Sequence, residues 1–189
     1  TIQESLGNGG KEKYTYVYQL NTDNYNMPIE GSISPEYDDS PEGKNIGNLV
    51  DGDWTSSFYT PNKSVSIIWK GKEPVTVRYY SIMATGNKEG NAPGAWSLYG
   101  SNDNVEWTEL DNRVRQTFGK AEKKLLALSN NEAYQYYKLT IHYNQGGKGL
   151  EILEWVLQAK RTIDIPSLIN FPVGSTPKEI GKRLGHLFA

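Results

Sequence analysis

Five neighbouring residues could hold a hard cation. Asp51-Gly52-Asp53, followed by Thr55 and Ser56, offers carboxylate, hydroxyl and backbone oxygens in one tight turn. Hard cations collect about six to eight oxygens at such loops. The spacing is not that of an EF-hand, because the closing Glu is missing. The same residues also fit a simple Asx turn, in which a carboxylate accepts from its own backbone two residues on. Glu154 shares a strand face with Ile152 and Val156. A carboxylate so placed must be paired with a Lys or Arg, be exposed, or be bound to something positive.

Other residue types suit stacking and hydrogen bonding. Thirteen Tyr and five Trp are many for 189 residues, and both favour strands and ligand-stacking surfaces. Tyr37, Trp54, Phe58 and Tyr59 fall in loop-like sequence. Asn87, Lys88, Arg113, Arg115, His142 and Asn144 are polar candidates beside them. Catalysis has little support. The histidines are His142 and His186, and no nucleophile-elbow motif is present. Asp51, Asp53, Glu151 and Glu154 carry no mark of an acid/base pair. The Gly-rich stretch ending at Lys11 has neither the preceding strand nor the following Ser/Thr of a phosphate loop.

These side chains need elements to position them. Alternation at 14–20, with Tyr14, Tyr16 and Tyr18 on one face, predicts a strand. Residues 21–48 read as a long loop with a short strand near 29–34. Further strands are predicted at 65–69, 76–84, 95–101, 106–110, 124–128, 136–143 and 152–158, punctuated by turn residues. Seven or more strands without a long helical pattern predict an antiparallel β-sandwich or barrel. Residues 1–13 read as a mobile segment and 14–160 as the sandwich. Residues 161–189 read as an extension. Within it, Thr176-Pro177-Lys178-Glu179 has the capping-box arrangement of a helix start. That helix either packs on the sandwich or begins a following domain.

Composition excludes some classes. The formal net charge of −2 lacks the strongly basic balance of a duplex-binding protein. No run approaches the roughly 18 apolar residues of a spanning helix. Cys is absent, so no disulfide framework and no thiolate metal site exists. The start at Thr1, without Met, reads as processed or trimmed.

Three segments in order carry a resemblance. The first is Asp51-Gly52-Asp53 with Thr55, Ser56 and Phe58. The second runs from Trp96 and Leu98 through Gly100, Ser101 and Asp103 to Trp107 and Leu110. The third is Tyr136-Tyr137-Lys138-Leu139 with Ile141, followed by Glu154. Together they resemble the discoidin, or coagulation factor V/VIII type C, family over roughly residues 45–158. The sequence departs from the family pattern at Ser56 (usually Thr), Phe58 (usually Trp) and Asn104 (usually Gly).

The resemblance implies an all-β antiparallel sandwich, a galactose-binding-domain-like jelly roll, here with a short C-terminal helix. It implies a structural Ca2+ held by Asp51, Asp53, Ser56 and Glu154. It implies a non-catalytic carbohydrate-binding module, similar to family 32 modules, in a secreted or surface bacterial glycan-handling protein. The expected ligand contacts are Tyr59, Arg113, Trp54, His142 and Asn144. The expected partner is a glycan, with no nucleic acid and no membrane, and the expected state is a monomer. The expected location is extracellular, cell-surface or periplasmic. Two alternatives remain. One is a structural or adhesion domain for proteins or lipids. The other is the accessory N-terminal part of a longer glycoside hydrolase, since residues 172–188 resemble the first helix of unsaturated glucuronyl hydrolases.

Overall fold

The computed structural model describes residues 31–159 together with the strands Ile2–Glu4 and Tyr16–Tyr18. The chain divides into two compact units, Asn26–Lys160 and a second formed by Thr1–Tyr25 with Arg161–Ala189. In the second unit β1 (Ile2–Glu4) and β2 (Tyr16–Tyr18) form an antiparallel pair. Alternation at 14–20 identified a strand, but alternation carries no information about the partner. That strand pairs with Ile2–Glu4, inside the segment read as mobile. The expected C-terminal helix lies outside the described residues.

Among the described residues the larger unit holds ten strands. A five-stranded antiparallel sheet is built from β3 (Gly31–Pro35), β5 (Val65–Val75), β10 (Tyr134–Asn144), β7 (Pro93–Ser101) and β8 (Thr108–Arg113), in that order. A three-stranded sheet has the order β12 (Glu154–Ala159), β6 (Val77–Ala84), β9 (Glu122–Ala127). A small pair joins β4 (Phe58–Thr60) to β11 (Leu150–Ile152). Period-two alternation sends one face of each sheet to the core. From the larger sheet come Val65, Ile67, Trp96, Leu98, Tyr137, Leu139 and Ile141, and from the smaller Tyr80, Ile82, Ala84, Trp155 and Leu157. This is the expected β-sandwich. Among the described residues no helix is long and apolar enough to cross a membrane.

Two hydrogen-bonded groups join the sheets. The Tyr137 hydroxyl donates to the Val75 carbonyl and accepts from the Val77 N–H at 3.2 Å. It therefore clasps the point where the chain leaves one sheet for the other. The buried Trp96 indole donates to the Tyr80 hydroxyl at 2.9 Å, and Tyr80 donates to Asp111 at 2.6 Å. Burial, and then the bond to the Asp111 carboxylate, pushes the Tyr80 phenol far above its ordinary value. The phenol thus stays protonated and remains a donor.

Trp107 corrects a sequence expectation. By sequence it reads most simply as a core residue beside Trp96 and Leu98, yet it is only half-buried and lies on the outer face of the five-stranded sheet. There the Lys138 ammonium sits 4.2 Å from its ring centroid and 5.1 Å from that of Tyr99. Such stacking lets an aromatic at a strand start stay outside.

Replacing Tyr80 by Phe leaves the Trp96 N–H buried without an acceptor. The Y80F variant should lose about 2 kcal/mol of unfolding free energy in urea denaturation.

Candidate functional site

The Asp51 loop follows a 3-10 turn, Ile46–Val50, whose Leu49 is buried in the core. Gly52 takes a left-handed φ of 73°, which a tight turn needs and glycine adopts without penalty. Asp51 Oδ1 accepts from the Asp53 N–H at 2.8 Å, and Asp51 Oδ2 accepts from the Ser56 hydroxyl at 2.6 Å. The Ser56 hydroxyl also lies 2.9 Å from the Asp53 carbonyl. The Asp53 carboxylate instead caps Thr55, accepting from its N–H at 2.9 Å and its hydroxyl at 2.5 Å. The Asx turn read from the sequence is therefore present.

Glu154 reaches this loop from β12. It is only 8% exposed and makes no ion pair with Lys or Arg among the described residues. Its Oε1 is buried without a hydrogen-bond partner. Burial, and then the hydrogen bond and charge of Asp51, pushes its carboxyl up to about 7. Burial also works to raise Asp51, but the Ser56 hydroxyl and the Asp53 N–H outweigh it and hold that carboxyl below its ordinary value. Two buried or half-capped carboxylates in contact, one with an orphaned oxygen, hold more acceptors than protons. Among the described residues no three His, Cys, Asp or Glu side chains converge as a metal site. A cation here would have to draw on mixed donors: the Asp51 and Glu154 carboxylates, the Ser56 hydroxyl and the Asp53 carbonyl. Those donors suit a hard ion. Asp53 enters that set through its backbone, its side chain being committed to Thr55.

The ends of the strands beside this loop carry a second group of residues. Asn144 is 8% exposed. Its amide donates to the carbonyls of Gly147 and Gly149 at 2.9 and 2.7 Å, and its carbonyl accepts from the Gly146 N–H at 3.0 Å. Every polar atom of this predicted ligand contact is thus engaged in holding the 144–150 loop. Asn91 helps by accepting from the Gly149 N–H, and Gly90 accepts from Gln145 and Gly147. Tyr59 on β4 is half-buried and lies on Gly149. A Cβ at Gly149 would meet the Tyr59 hydroxyl at 2.5 Å, so only glycine admits the ring there. Behind Tyr59, Lys44 binds the Ser57 hydroxyl at 2.8 Å and Glu151 at 3.3 Å, which fixes β4 against β11.

The remaining predicted contacts are dispersed. Trp54 stands 57% exposed on the Asp51 loop. His142 lies on the outer sheet face, with Nε2 2.9 Å from the Ser97 hydroxyl. Arg113 is drawn to Asp111, its Nε lying 3.0 and 3.2 Å from the two carboxylate oxygens, and so belongs to the Tyr80 chain. Tyr59, which sits with the loops, is the predicted aromatic best placed to meet a ligand. The sequence reading passed over Tyr143, an exposed tyrosine at the end of β10. Period-two facing hides it, because Tyr143 and His142 cannot both face solvent on a regular strand.

The Asn144→Ala variant orphans two loop carbonyls. It should destabilise by at least about 2 kcal/mol in urea and speed amide exchange at Gly146 to Gly149.

No protein-family model matches the chain, and no curated protein sequence is similar to it. The structure does have counterparts. The family 32 carbohydrate-binding module of Streptococcus pneumoniae EndoD superposes with a TM-score of 0.60 at 19% identity, covering 72% of this chain and 100% of that module. A family 32 module from a family 31 glycoside hydrolase of Clostridium perfringens gives 0.59 at 16% identity, covering 69% and 96%. A pectin-binding carbohydrate-binding module gives 0.59 at 15%, covering 71% and 95%. At these identities the likeness is one of fold, and it spans nearly the whole of each counterpart.

Proposed function

We propose that the sandwich is a non-catalytic carbohydrate-binding module. The observation that carries this reading is the near-complete coverage of independent carbohydrate-binding modules by the described sandwich. The site agrees with it. Sugar recognition needs an aromatic ring held rigidly at a surface, with a few polar groups beside it. Tyr59, seated on Gly149 next to the exposed Lys148, supplies both. Nothing in the Asp51–Glu154 cluster marks a hydrolytic pair: Asp51 is held by the Asp53 N–H and the Ser56 hydroxyl, and Glu154 is buried at the end of β12.

The same reading gives the Asp51 loop a structural cation. Calcium held by Asp51, Ser56, Glu154 and the Asp53 carbonyl would neutralise the paired carboxylates and tie β12 to the loop. It would add stability and no chemistry. The glycan partner and an extracellular setting in a glycan-handling protein follow from the same proposal, since several counterparts are modules of glycoside hydrolases.

Two measurements test this. Isothermal titration against a panel of plant, microbial and host glycans should find binding on the order of micromolar to millimolar. Tyr59→Ala should weaken it roughly tenfold or more, and silence across the panel removes the proposal. A thermal melt in EDTA and then in excess calcium should show a rise of several degrees. The E154Q variant should abolish that rise, and an unchanged melt leaves Asp51 and Glu154 without a metal.

A further inference from the structure

The outer face of the five-stranded sheet ends in a feature that neither Tyr59 nor the Asp51 loop uses. Strand β10 is regular through Ile141, which pairs with Trp96, and then slips so that Tyr143 pairs with Ala95. One extra residue is thereby inserted, and both His142 and Tyr143 reach solvent before Asn144 turns back inside. Bulges re-aim side chains in this way and concentrate near binding sites.

The Tyr143 ring is fixed rather than loose. It lies on Gly94, where a Cβ would meet ring carbons at 2.7 and 2.8 Å. Its hydroxyl accepts from the Arg115 N–H at 3.1 Å. Yet the residue remains 45% exposed, with Val114 exposed beside the anchoring amide. On the next strand-face position, Ser97 orients the His142 imidazole.

Arg115 is the second observation. Its φ of 54° is left-handed, a conformation that an L-residue other than Asn, Asp or Gly rarely adopts. Its guanidinium makes no hydrogen bond or ion pair among the described residues. Strained backbone of this kind persists where the surroundings over-determine it, commonly at ligand sites. The segment that carries it is basic, with Arg113, Arg115, Lys120, Lys123 and Lys124 against Glu122 alone, in a chain of net charge −2. Arg113 and Lys124 are occupied by Asp111 and Glu122, whereas Arg115, whose N–H holds the Tyr143 hydroxyl, carries a guanidinium uncommitted among the described residues.

From this geometry we infer that Tyr143, His142 and Arg115 form a separate subsite for an anionic sugar, a uronate residue of an acidic polysaccharide. The Tyr143 face stacks on the apolar face of the pyranose ring. The Arg115 fork takes the carboxylate, a planar two-oxygen group that guanidinium matches better than ammonium does. His142 and Asn112, paired across from Ser97 on β8, supply polar contacts to ring hydroxyls. The inference rests on the carbohydrate-binding reading and adds to it a ligand class and a second position.

The test is titration of the whole chain with trigalacturonate, its fully methyl-esterified counterpart and a sulfated galactose trisaccharide. The acid should bind at least about tenfold more tightly than the ester. Tyr143→Ala and Arg115→Gly should each erase that preference, while Tyr59→Ala keeps it. Arg115→Gly should also hold or raise the melting temperature, because glycine accepts the left-handed backbone without strain; a residue kept for folding would lower it. Tighter binding of the sulfated sugar retains the site and changes the anion. Equal binding of acid and ester, or a preference that survives both substitutions, overturns the subsite while the carbohydrate-binding reading stands. If the chain binds another glycan and none of these three, the subsite alone falls.

Discussion

The position of every site residue depends on how the two sheets are held in register, and that rests on one buried indole. Trp96 sits on β7 of the larger sheet with no exposure, and its N–H must find an acceptor. Tyr80 of the smaller sheet provides it, donates its own O–H to Asp111, and Asp111 is paired with Arg113. Apolar packing alone is tolerant of small slides between sheets. A directional chain across three strands is not. It sets where β7 and β6 end, and so where the loops at those ends meet.

That register also explains why the loops are ordered without regular structure. The 144–150 segment has little apolar burial of its own. Asn144 replaces a missing strand partner by reaching forward to two carbonyls, and Asn91 and Gly90 supply the rest. An amide side chain is suited to this, having two donors and an acceptor in one plane. The predicted ligand contact thus serves the site from behind, by shaping the surface on which Tyr59 lies.

Much of the sandwich was legible in the sequence because alternation reports burial directly. Trp96, Leu98, Tyr137 and Leu139 declared their face by period alone. The Asp51 loop was legible as turn chemistry, and its meeting with Glu154 followed from family resemblance rather than spacing. What stayed hidden was pairing between distant segments. Phe58–Thr60 is too short to show a period, and its partner lies at Leu150–Ile152. The β2 partner was hidden for the same reason. Tyr143 was masked by the assumption of a regular strand, since a one-residue bulge inverts the facing of everything after it. Arg113 reads from the sequence as a ligand contact because its carboxylate partner lies two residues away on the same strand, a relation that says nothing until the facing tyrosine is known.

Tyr59 and Tyr143 rest on different glycines, Gly149 and Gly94. In both cases the ring occupies the volume that the smallest side chain would fill. A single methyl group at either position therefore alters the surface these rings present. An alanine at Gly94 would meet the Tyr143 ring first and then the Asn144 carbonyl at 3.0 Å, whereas one at Gly149 would meet the Thr60 carbonyl of β4 as well as the Tyr59 ring. What each ring presents to solvent is thus set by the backbone passing beneath it, more than by the side chains around it.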